Sequence, residues 1–125
     1  MRDDHQQADQ ETLARQHLLD AGASALPRPP WLHRSQPPAS ADLVRFALWR
    51  DRTGSLSDGE VEAALTLLPA ARAEMKQLET AMLFTARAQG LSWARISRAM
   101  GLGSAQAAVQ RFDRLTRRSD PRGHS

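Results

Sequence analysis

The sequence contains no cysteine. That excludes disulfide frameworks, cysteine-based zinc sites and cysteine nucleophiles, and it suits a reducing interior. Glycine and proline number 7 each in 125 residues, too few for a fibrous repeat. No apolar run approaches the roughly 18 residues that a membrane helix needs. Residues 1–10 carry charges and amides where a secretory signal has an apolar segment, so a protein without membrane attachment is expected, located in the cytoplasm. Period-two alternation is missing, which argues against strands. His5, His17, His33 and His124 lack metal-site spacing or a nucleophile partner. Asp58, Glu60 and Glu62 gather at the start of a predicted helix, where its dipole favours them. No catalytic residue, metal or cofactor is expected, and an enzyme is not.

What is present is ordinary in bulk and uneven in detail. Hydrophobic residues make up 41% and charged residues 25%, as in a globular chain. From Arg87 onward, eight arginines face two acids and leave +6; the preceding residues hold nine bases and twelve acids and leave −3. Sixteen arginines against the single Lys76 fit a GC-rich coding bias. Such a bias raises arginine everywhere but does not remove acids from the last third, so the basic end points to a polyanion.

Residues 1–39 are expected to form a flexible arm, because Pro27, Pro29, Pro30, Pro37 and Pro38 punctuate them. A short helix over residues 11–23, presenting Leu13, His17 and Leu18, would be marginal without a partner. A helical body over residues 40–118 follows, then a basic tail over 119–125. Ser40 is placed to cap a helix through Arg52 whose stripe is Leu43, Phe46, Ala47 and Arg50. Ser57 and Glu60 have capping-box spacing, ahead of a helix presenting Val61, Ala64, Leu65 and Leu68. Pro69 either opens a new helix or kinks a continuous one. Ala71, Met75, Leu78, Met82 and Ala86 then form one face, and Gly90 ends the stretch. The expected fold is all-α: a small helical domain with a C-terminal three-helix unit.

Residues 92–118 read as a helix-turn-helix. Ser92 caps a short helix with Trp93, Ile96 and Met100 on one stripe, and the small Ser97 sits where two helices would pack closely. Gly101 and Gly103 suit a tight turn with positive φ, and Ser104 caps a last helix. In that helix Ala105, Ala108, Phe112 and Leu115 fall on one side, and Gln106, Gln110, Arg114 and Arg117 on the other. Glutamine can pair with adenine and arginine with guanine in the major groove of double-stranded DNA. Gln106, Ala107, Gln110 and Arg114 are therefore the candidate base readers, with Ala107 small enough to meet a thymine methyl. Ser104, Arg95, Arg98, Arg111, Arg117 and Arg118 are the candidate phosphate contacts.

Trp93-Ala-Arg-Ile96-Ser97, Met100-Gly101, Ser104 and Arg111-Phe112-Asp-Arg-Leu115 resemble the second and third helices of Myb/SANT-type domains. The match covers about 40 residues, and the module is similar to those of actinobacterial regulators; extended sigma-factor helix-turn-helices share much of it. The resemblance implies a homeodomain-like three-helix fold and a reader helix containing Gln106, Gln110, Arg111 and Arg114. The first core aromatic of the family is replaced by Met75 or Leu78. Against this DNA-binding regulator stands a protein-interaction module. Its helices over 40–68 would bind a sigma or anti-sigma factor, and its last helix would be structural; in the DNA reading the same helices extend the core or form a homodimer that pairs half-sites.

Overall fold

The computed structural model describes residues 2–32 and 35–119. It is all-helical, with no strand among the described residues. The helices are α1 (Arg2–Asp20), α2 (Ser40–Arg52), α3 (Asp58–Ala88), α4 (Trp93–Met100) and α5 (Ala105–Ser119); a long connection with one 3-10 turn at Ala23–Ala25 separates α1 from α2, and the later links are short. Helix α3 is continuous through Pro69, so that proline does not open a new helix. The chain divides into two compact units, residues 1–74 and 75–125.

In the first unit the expected flexible arm is replaced by packed structure. Ala14 and Leu18 of α1 and Ala23 of the 3-10 turn are buried with Leu43, Phe46 and Ala47 of α2 and Ala63 and Leu67 of α3. The short helix that lacked a visible partner has two. Leu13 and His17, expected inside with Leu18, are exposed.

Helix α1 also explains a phase error along α3. Of the stripe Val61, Ala64, Leu65 and Leu68, only Ala64 packs against the core, whose α3 members are Ala63 and Leu67. The face of α3 beside Gly59 is where His17 of α1 approaches, 3.3 Å from where a Cβ on Gly59 would sit. With that side taken, Leu65 remains 58% exposed.

Two guanidinium groups tie this unit together. Arg15 donates to the Pro38 carbonyl and to the Ser40 hydroxyl, each at 2.6 Å. Ser40 is the first residue of α2 and not its cap, which is Ala39. The free amides at the start of α2 are taken by the Glu74 carboxylate, 3.0 Å from Ser40 N and 3.4 Å from Ala41 N. A side chain 34 positions away thus supplies the acceptor that the sequence assigns to Ser40.

Arg50 is the second hub. It donates to both Glu60 oxygens at 3.0 and 3.2 Å and to the Ala21 and Ser55 carbonyls at 3.1 Å. The capping box forms in part: the Glu60 amide donates to Ser57 Oγ at 3.2 Å. The Glu60 carboxylate is taken by Arg50 and the Ser57 hydroxyl.

The hydrogen bonds from Arg50 hold the Glu60 carboxyl below its ordinary value of 4.5. A carboxylate favoured in this way stabilises the fold fully above its unfolded pKa, and the gain disappears as pH falls through the lowered folded value. Urea midpoints should therefore drop between about pH 5 and pH 3, and Glu60→Gln should flatten that drop. Arg50→Ala, which strands a buried carboxylate, should cost about 3 kcal/mol at neutral pH.

In the second unit Leu83 of α3, Ile96 of α4 and Ala108 of α5 are buried together. Ala86, Leu91, Trp93, Leu102, Phe112 and Leu115 pack around them. Of the face expected inside, Ala86 packs against this core, while Met75, Leu78 and Met82 are each more than 60% exposed. The Phe84 ring, 57% exposed, meets Phe112 edge-on with centroids 4.9 Å apart. Neither Met75 nor Leu78 takes the place of a core aromatic.

Candidate nucleic-acid interface

Three local devices build the unit that carries the basic end. Helix α3 closes at Gly90, φ 91°, where Gly90 N donates to the Arg87 carbonyl and Leu91 N to the Ala86 carbonyl, both at 3.0 Å. This pairing is a Schellman closure, and its left-handed residue suits glycine. Helix α4 opens on Ser92, whose Oγ accepts the Arg95 amide at 3.1 Å. It closes the same way at Gly101, φ 72°, with Gly101 N on the Arg98 carbonyl and Leu102 N on the Ser97 carbonyl.

Of the two turn glycines, Gly101 alone has positive φ. A Cβ on Gly103 would meet nothing within 4 Å, so that position does not depend on glycine. Ser97 is buried, and its hydroxyl donates to the Leu102 carbonyl at 3.2 Å. A larger side chain there would displace the turn against α4.

Ser104 begins the last helix as expected, its Oγ accepting the Ala107 amide at 3.1 Å. The inner side of α5 is Ala108, Phe112 and Leu115, with Ala105 half-buried. Trp93 lies with its centroid 5.6 Å from that of Phe112. The Arg87 guanidinium sits 5.0 Å from the Trp93 ring centroid. Neither ring is presented for stacking on a base. Met100, expected on the inner stripe of α4, is exposed.

On the outer side Gln106, Gln110, Arg114 and Arg117 are all exposed. None of the four makes a side-chain hydrogen bond or ion pair with a described residue. Ala107 is half-buried at the edge of the row. Asp113 is the one acid on α5. Arg95 and Arg98 are exposed on α4, and Ser104 is exposed at the start of α5. The side chain of Arg118, and the tail from residue 120, lie outside the described residues.

Arg111 departs from the expected phosphate set. Its Nη2 donates to Glu79 Oε1 at 3.0 Å and its Nε to Oε2, a bidentate pair with α3. The pairing lowers the Glu79 pKa and raises that of Arg111. Arg111 thereby fixes α5 against α3 and is not one of the unpaired outward cations. Nothing local in the sequence signals this, since the partners are 32 residues apart.

The arrangement presents amides and guanidinium groups in one row on a helix of a closed helix-turn-helix. No group of three metal-ligating side chains lies together among the described residues. No described helix is long and apolar enough to cross a membrane. The chain matches no family model, and no curated protein and no solved structure matches it.

Proposed function

We propose that the protein binds double-stranded DNA as a sequence-specific transcriptional regulator, reading the major groove with α5. One observation carries this reading: the row Gln106, Gln110, Arg114 and Arg117 is exposed and has no side-chain partner among the described residues, on the second helix of a helix-turn-helix. A helix that only needed solvation would interleave acids with its bases. Gln106, Gln110 and Arg114 face base edges, with Ala107 beside them, while Arg95, Arg98, Ser104 and Arg117 take phosphates. The Myb/SANT-like helix order belongs to the same proposal. The reading uses no cofactor and no catalytic group, and it puts the protein in the cytoplasm, on the nucleoid when bound.

The test is selection of bound duplexes from a random pool by the full chain. Enrichment of one motif is expected. Gln110→Ala and Arg114→Ala should each broaden that motif at one position, losing about 1–3 kcal/mol of discrimination, with helicity unchanged. Failure to retain any duplex in dilute buffer would overturn the reading.

A second reading, an interaction module, is favoured by the outer face of the first unit. Leu48 of α2 and Val61 and Leu65 of α3 are exposed there around an apolar trough of about 270 Å³. A homodimer would cover this face and also give a single small reader two half-sites. Leu65→Glu should then yield a monomer by sedimentation and weaken binding to a two-half-site duplex. A monomeric wild-type chain would remove the homodimer. A chain that captures a sigma or anti-sigma factor but no DNA would establish the second reading in place of the first.

A further inference from the structure

The first unit contains a cavity of about 680 Å³ that the DNA reading does not use. That volume falls within the range of small-molecule sites, roughly 300–1,000 Å³. Phe46, 4% exposed, and the more open Trp49 line it, their ring centroids 6.0 Å apart. The roof is the proline segment that the sequence marks as a linker, and it contributes Leu26, Pro27, Pro29 and Pro38.

Two features keep the roof off these rings. Pinning comes first: Leu26 N donates to the Ala23 carbonyl at 3.1 Å, Arg28 to the Gln36 carbonyl at 2.6 Å, and Arg15 to the Pro38 carbonyl at 2.6 Å. Stiffness is the other, because proline fixes φ and offers no N–H to a collapsed ladder. Below, the chain turns at Gly22, φ 135°, so closely over Phe46 that a Cβ there would lie 3.4 Å from the ring. The cavity is thus shaped on both sides, and Trp49 stays 51% exposed at its mouth.

Charge is present as well: among the described residues Arg28, Arg45 and Asp42 are the charged side chains that line the cavity. Arg45 reaches Asp42 only at 3.4 Å and is largely exposed, so a ligand acid can compete for it at little cost. Aromatic and aliphatic side chains beside the largely exposed Arg45 guanidinium suit a flat ring system bearing one acidic group.

We propose that this cavity binds a small aromatic acid, its rings against Phe46 and Trp49 and its acid group on Arg45. The proposal stands independently of DNA binding, because every residue in it belongs to the first unit.

The test uses the full chain and two fluorescent probes of one skeleton, anionic 8-anilino-1-naphthalenesulfonate and neutral N-phenyl-1-naphthylamine. Saturable binding of the anionic probe at one site per chain is expected. Trp49→Ala should weaken both probes by about tenfold, from lost ring packing. Arg45→Gln should weaken the anionic probe by about fivefold and leave the neutral one unchanged. Ser24→Trp, at an exposed lining position, should block both while circular dichroism and the thermal midpoint stay as in the wild type. Unsaturable binding, or binding that survives both Trp49→Ala and Ser24→Trp, would overturn the site. Equal loss of both probes in Arg45→Gln would overturn the acid preference.

Discussion

Removal of residues 2–20 should unfold the first unit, and Leu18→Ala alone should cost it about 3 kcal/mol. Leu18 has no solvent exposure and is buried with Leu43, Phe46 and Leu67. Truncating it opens a cavity that three helices surround, and α2 and α3 cannot close it without abandoning the Arg15 bonds to Pro38 and Ser40. The deletion removes those bonds as well and exposes Phe46 and Leu67 to water. Hydrogen exchange should lose protection across residues 40–74 in the deleted chain, and urea unfolding of the Leu18→Ala chain should shift at unchanged slope. Protection that persisted without α1 would return residues 1–39 to the status of a spacer.

That result bears on what the sequence can show. Periodicity and capping are local, and the elements that depend on them were legible: α2, α4 and α5, the Ser57–Glu60 contact, the Schellman glycines Gly90 and Gly101, and the two faces of α5. Of helix α1 only the second half was, as a short helix without a partner; its length and its packing were not, because its composition is polar and its stability comes from surfaces on α2 and α3. Missing that packing moved the inferred inner face of α3 from Ala63 and Leu67 to Val61 and Leu65. The acceptor for α2 also comes from a distant side chain, Glu74, so a serine in the right place was mistaken for a cap. In the candidate site the outward row was legible from helical spacing alone. The diversion of Arg111 to Glu79 was not, because it depends on how α5 lies against α3.

Salt titration of duplex binding should separate the cations that face DNA from the one held by Glu79. Each phosphate neutralised contributes about −0.9 to the slope of log affinity on log salt. Arg95, Arg98 and Arg117 are exposed and without an ion-pair partner among the described residues, so Arg117→Ala should flatten the wild-type slope by about 0.9. Together these three alone should make binding weaker by about 40-fold between roughly 50 and 200 mM salt. Arg111→Gln should leave the slope unchanged, because its guanidinium already neutralises a carboxylate. Glu79→Gln should steepen the slope by about 0.9 by releasing Arg111 toward the backbone. Its stability cost should stay near 1 kcal/mol, since Arg111 is 44% exposed in the pair. Basic side chains beyond Arg117 contribute equally to every variant and cancel in these differences. Equal flattening by Arg111→Gln and Arg117→Ala would mean that the ion pair opens on DNA and that Arg111 is a phosphate contact after all. A flat response in every variant would remove DNA as the polyanion.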